Sequence, residues 1–228
     1  MDFSTAVTQV LAILVIIFLV LPFHEWAHAF TAMKLGDTSV KYRGRLTLNP
    51  LAHVDPFGAL ALLLFGFGWA KPVPIDPRNF KNSKLGMGIV ALMGPVANIV
   101  AAIFGGLILQ AVSAFTTDFF PLVSNGQLIV TNQFGYYIYL FLTFYISINV
   151  SLAVFNLLPI PPLDGSKILF IFLPDRWVSW FYQHQNIISM VLIALLWTGV
   201  LSVPLSFLTK YVMVFVNWLT ALPFSFVR

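Results

Sequence analysis

Residues 18–32 read FLVLPFHEWAHAFTA, two histidines, a glutamate and a proline inside an otherwise apolar run. Placing a charged side chain at the centre of a membrane helix costs about 2.5–3.5 kcal/mol on insertion scales, so polar groups here need a chemical reason. Glu25 is the only glutamate in the chain. His24 and His28 are four residues apart and share one face of a helix, with Glu25 beside them, in the spacing His-Glu-x-x-His. Given the chain's composition, chance would produce that pattern roughly 0.0003 times in a sequence of this length. The apolar flanks predict a membrane helix and the polar residues a site within it. Pro22 removes a helix donor, which predicts a free carbonyl at Phe18, a kink and a point of entry for water.

The rest of the 228-residue chain agrees with a membrane setting. It is 59% hydrophobic and 9% charged, against about 25% charged in soluble domains. Its net charge of +4 comes from basic residues scattered between apolar spans, which fits a membrane surface and argues against nucleic acid as a partner. With no cysteine, thiolate metal sites, disulfides and a cysteine nucleophile are excluded. The N-terminus carries Asp2 instead of a basic cluster and lacks a small-residue cleavage site, so it is expected to stay attached. No repeat or soluble segment interrupts the chain, and residues 1–228 read as a single integral-membrane domain.

Hydropathy places spans at about 5–34, 86–115, 136–158, 187–201 and 205–222, the last two joined by a tight turn at 202–204. An apolar run at 59–67 is too short to span, and a short amphipathic piece is expected at 166–173. The expected fold is an all-α polytopic membrane protein with about five to six transmembrane helices and a membrane-associated β-hairpin or re-entrant loop. Residues 34–84 hold eight basic side chains and 115–134 hold none. The positive-inside rule therefore puts the former in the cytoplasm, the N-terminus outside, and both His24/His28 and Asp164 toward the cytoplasmic side.

Two imidazoles and a third ligand would hold one Zn²⁺ with a position open for water, and Glu25 would act as general base on that water. The third ligand can be sought by elimination. There is no second glutamate, and the position six residues after His28 is Lys34, so an aspartate or another histidine must serve. Asp164, in NLLPIPPLDGSKIL, lies at matching depth in irregular backbone, although it could instead cap the helix that follows. His53 and Asp55 are accessory candidates in the cytoplasmic loop. A metal transporter or sensor would use the same ligands without proteolysis, but transport favours further acids or histidines along a path across the membrane, and this chain has almost none.

With FHEWAH, NLLPIPPLDG and GPVANI (94–99) in that order, the chain resembles the site-2 protease family of intramembrane zinc metalloproteases, in its compact prokaryotic branch without a PDZ domain. The resemblance implies hydrolysis of peptide bonds in or near a transmembrane segment of another membrane protein, in regulated intramembrane proteolysis or in clearing signal-peptide remnants, within a prokaryotic cell membrane. A helical substrate must be extended before attack. Residues 66–76, with Gly66, Gly68, Pro72 and Pro74, suit a membrane-dipping hairpin that binds substrate by strand addition, so Gly68, Lys71 and Val73 are candidate substrate contacts. Asn98 is expected to donate to the substrate backbone or a developing oxyanion. Asn156 either joins it there or braces the Asp164 turn.

Overall fold

The computed structural model describes residues 3–65, 69–116, 119–124 and 127–226. The first helix enters as α1 (Phe3–Val15), widens into a π-helical turn (Ile16–Val20) and continues as α2 (Leu21–Leu35). In the π turn the Leu21 amide reaches back five residues to the carbonyl of Ile16. Pro22 sits in the first turn of α2, just past this widening. The expected consequence of Pro22 is thus modified, because the missing donor is absorbed by a change of helical pitch directly before it.

Short helices α3 (Ser39–Tyr42), α4 (Pro50–His53) and α5 (Pro56–Phe65) form the following loop. The α6 helix (Ser83–Phe115) starts at Asn82, whose side chain accepts from the Leu85 amide, and runs through Pro95 without interruption. A small antiparallel ladder of β1 (Leu122–Ser124) and β2 (Gln127–Ile129) leads to α7 (Gln133–Asn156), whose start Asn132 caps in the same way. Then come α8 (Asp164–Phe170), α9 (Asp175–Gln183), α10 (Gln185–Trp197) and α11 (Ser202–Ala221).

Among the described residues, four helical stretches are long and apolar enough to cross a membrane: Val10–Leu35, Ser83–Phe115, Gln133–Asn156 and Ser202–Phe224. The chain is a multi-pass helical membrane protein. The expected crossing near 187–201 corresponds to α10, whose 13 residues extend only about 20 Å against a hydrocarbon core of about 30 Å. Its neighbours fix the ends that it connects. Thr220 packs on Gly106 and the ring of Phe224 lies 6.2 Å from that of Phe115, so α11 runs in the same sense as α6. Contacts of His24 with Asn98 and of His28 with Val90 make α2 antiparallel to α6. Gly105 against Tyr145, with Ala91 near Phe155, makes α7 antiparallel to α6 as well. Hence α7 ends and α11 begins at the same end of the bundle. The amphipathic α9, with Trp177, Trp180 and Tyr182 exposed, was not foreseen; its composition suits the membrane–water boundary.

Two apolar clusters hold the bundle. One gathers Ile16, Val20, Ala102, Ile146, Val150 and Val216 from four helices. The other packs Ala29, Ala32 and Val90 against Val40, Val73 and Phe80 of the connecting loop, fixing that loop to the end of α2. Buried Asp37 strengthens this attachment: its carboxylate accepts from the Asp76 amide at 2.8 Å, the Asn79 side chain at 2.8 Å and the Ser39 amide at 3.1 Å. At the adjoining Gly36, with φ of 122°, a side chain would be strained and would also press on the carbonyl of Asn79.

Candidate metal centre

His24, Glu25 and His28 are all buried in α2, and their potential ligand atoms lie within 4.8 Å of one another. Each imidazole is oriented by α6. Nδ1 of His24 donates to Oδ1 of Asn98 at 2.5 Å, and Nδ1 of His28 donates to the carbonyl of Val90 at 2.7 Å. Both acceptors are oxygens that cannot donate, so both rings carry their proton on Nδ1 and turn a lone pair inward from Nε2. The two Nε2 atoms are 3.1 Å apart, and Oδ2 of Asp164 is 3.3 Å from one and 3.2 Å from the other.

Three lone-pair-bearing atoms thus converge on one point. A tetrahedral ion with bonds of about 2.0–2.1 Å has ligand–ligand edges of about 3.3–3.4 Å, close to the triangle seen here, so the donor set fits Zn²⁺. Asp164 is the first residue of α8, after Leu163 in the capping position, and its carboxylate caps no amide. Lys167, one turn further on, holds the other oxygen, Oδ1, at 3.2 Å. The loop before α8 thereby delivers one carboxylate oxygen to the histidines.

Val90, Gly94 and Asn98 are spaced four residues apart on one face of α6, and this stripe receives the imidazoles. A Cβ on Gly94 would lie 2.5 Å from Cε1 of both rings, so only glycine allows α6 to approach. Gly94 stood in the GPVANI motif without a role of its own, and neither Val90 nor Lys167 was singled out from sequence. The four-residue spacing of Gly94 and Asn98 was the available signal, whereas the Val90 contribution is a carbonyl and has none.

The remaining candidates divide. Glu25 receives the backbone amide of Val73 on Oε2 at 3.2 Å. Val73, Asn156, Leu152 and Phe155 line the cavity of about 400 Å³ that contains the two histidines and both carboxylates. The Lys71 amide donates to the carbonyl of His53 at 2.7 Å, and Ala70 forms an isolated antiparallel bridge with Val54. Gly66 and Gly68 lie outside the described residues. Asn98 is buried behind His24 and does not line the cavity. His53 is buried elsewhere, its Nε2 donating to the Thr47 carbonyl at 2.7 Å, and Asp55 caps the start of α5 through the Phe57 and Gly58 amides. Neither is brought to the metal centre.

A multi-pass helical protein with a buried His-His-Asp triangle and an adjacent carboxylate belongs to the class of membrane proteins with an internal metal centre. Residues 12–199 match Peptidase family M50, the site-2 protease family toward which the three motifs pointed, and the chain belongs to that family. It is 42% identical over 146 residues to YwhC of Bacillus subtilis (strain 168), which carries a provisional zinc metalloprotease name. That match covers 64% of this chain and 62% of YwhC. Rip2 of Mycolicibacterium smegmatis, provisionally named in the same way, is 36% identical over 147 residues, or 62% of this chain and 49% of Rip2. The match therefore covers less than two thirds of either relative. No solved structure matches the chain significantly.

Proposed function

We propose that this protein is an intramembrane zinc metallopeptidase that hydrolyses peptide bonds in or near transmembrane segments of other proteins. The observation that carries the reading is the triangle of His24 Nε2, His28 Nε2 and Asp164 Oδ2 with the Glu25 carboxylate beside it. His24, His28 and Asp164 would hold one Zn²⁺ per chain. When bound, the ion supplies Lewis acidity and lowers the pKa of water toward neutrality.

Glu25 is the general base, accepting the proton of the attacking water and returning it to the leaving amide nitrogen. The Val73 amide orients the Glu25 carboxylate for that transfer. Asn98 and the Val90 carbonyl keep both histidines in the tautomer that leaves Nε2 available. Nδ2 of Asn98 has no partner among the described residues, but the side chain is buried behind His24 and lies outside the cavity, so its part is to hold that imidazole and not to meet the substrate. Asn156 faces the same cavity and serves the substrate chain.

Substrate is held extended by the segment around Lys71 and Val73, within the 66–76 stretch read as a membrane-dipping hairpin, whose Ala70 makes an isolated bridge to Val54. The whole of 1–228 acts as one domain in a prokaryotic cell membrane. The start of α1 and the end of α11 face the exterior and the metal centre opens toward the cytoplasm, as the basic residues between 34 and 84 favour. Our reading takes the four helices long and apolar enough to span as the crossings, with the shorter α10 outside that number. The test is to purify the protein, measure zinc per chain, and incubate it with a membrane-spanning peptide. Stoichiometric zinc with cleavage abolished by Glu25→Gln supports the reading; zinc without cleavage under any condition favours a transporter or sensor.

A further inference from the structure

Two charged side chains lie more than one residue inside the ends of the four candidate spans: Glu25 and Lys210. The metal centre uses the first. Lys210 lies eight residues into α11, about 12 Å along its axis from Ser202, where a cation is costly without a purpose. Phe207, Leu208, Tyr211 and Val214 around it are exposed to the membrane, and Lys210 has no ion pair among the described residues.

Lys210 lines a largely apolar groove of about 600 Å³ between α7 and α11, flanked by Leu62 of α5 and Leu196 of α10, which also presents the hydroxyl residues Ser151, Ser206 and Thr209. Leu152 and Phe155 form a wall of this groove and a wall of the metal-centre cavity alike. An occupant of the groove is therefore one side chain's thickness from the candidate site. Its chemistry follows from the lining: an apolar body with a single anionic group.

We propose that the groove docks a membrane-spanning peptide segment that carries a carboxylate, which pairs with Lys210 while the adjoining chain enters the metal centre past Leu152 and Phe155. This deepens the proteolytic reading and rests on it. Lys210 is itself exposed and lines the groove beside Met213, and the apolar residues around it favour a carboxylate carried on a helix in the groove over a phospholipid headgroup at the membrane surface. A carboxylate on a transmembrane helix meets it at depth.

The test uses the full chain with Glu25→Gln, in phosphatidylcholine nanodiscs, and fluorescent leucine–alanine helical peptides of about 20 residues with Glu, Leu or Lys at the centre. Binding of the Glu peptide is expected to be about tenfold tighter than that of the Leu peptide, the scale of an interhelical polar contact in a membrane. Lys210→Met should erase the difference, and Lys210→Glu should transfer the preference to the Lys peptide. Equal binding of all three peptides, or a preference untouched by both substitutions, overturns the proposal. So does selective retention of phosphatidylglycerol that Lys210→Met abolishes while peptide binding stays the same, which would assign the lysine to lipid. Cleavage is measured separately with Glu25 intact. Lys210-dependent binding without cleavage leaves the docking surface standing and refutes the peptidase reading; cleavage indifferent to Lys210 does the reverse.

Discussion

The backbone amide of Val73 donates to the carboxylate of Glu25 across 3.2 Å, joining the loop after α5 to the candidate general base. With Pro72 and Pro74 on either side, Val73 has the only amide of that tripeptide. Val73→Pro removes a hydrogen bond to a charged group, worth about 1.5–3 kcal/mol. We expect kcat to fall about 10- to 100-fold on a short extended peptide as well as on a helical substrate. Val73→Ala keeps the amide and should have a small effect. A loss confined to helical substrates would mean that the segment acts only by holding substrate open.

Glu25→Gln keeps size and hydrogen-bonding capacity but cannot take a proton. Cleavage should fall by about 10²–10⁴-fold or more, with zinc content and melting temperature unchanged. Unchanged turnover in the purified variant removes Glu25 from the mechanism.

Asn98→Leu leaves His24 in place without the acceptor that fixes its tautomer. Zinc affinity, measured by competition with a chromophoric chelator, is expected to weaken about 10- to 100-fold, the usual range for such supporting groups. Asp164→Ala should lower bound zinc further, and His53→Ala should leave it unaltered; the opposite order would exchange their assignments.

Gly94→Ala places a methyl group against both imidazoles. It should lower zinc occupancy sharply while helix content stays constant, since alanine itself favours helix. Wild-type occupancy in this variant would show that α6 can withdraw from α2 at little cost.

Burial raises the pKa of Asp37, but hydrogen bonds from Ser39, the Asp76 amide and Asn79 outweigh it and hold the carboxyl below its ordinary value. A group depressed in the folded state stabilises fully above its unfolded pKa of about 3.9 and loses that effect as pH falls through the lower folded value. The protection factor of the Asp76 amide, which is the exchange rate corrected for its intrinsic pH dependence, should therefore fall below about pH 4 in the wild type. In Asp37→Asn it should be low already at neutral pH, and a variant with wild-type protection would dismiss the attachment.

His24, Glu25 and His28 were legible because costly side chains at helical spacing stand out in an apolar run, and elimination narrowed the third ligand to an aspartate or histidine, among which Asp164 had the matching depth. The partners of the histidines were not legible to the same degree. Asn98 is conspicuous as a polar residue in a span, but its position behind His24 depends on how α6 docks against α2. The Val90 carbonyl leaves no trace in side-chain identity. Hydropathy marked α10 as apolar, yet whether an apolar helix crosses depends on where its neighbours begin and end, and α11 begins where α7 ends. His53 read as an accessory ligand from its type alone, and burial against Thr47 accounts for it instead.

The π turn at Ile16–Val20 gives the first membrane helix a break in phase. Each π turn takes in one more residue than an α turn, so the lipid-facing stripe of α1 and the metal-facing stripe of α2 are set independently around a shared axis. Removing a single residue from that turn would restore uniform pitch and leave both halves aimed as they are, whereas a second deletion would swing one against the other by about 100°. The anchor and the reactive half can therefore be treated as two modules whose joint holds one residue of slack.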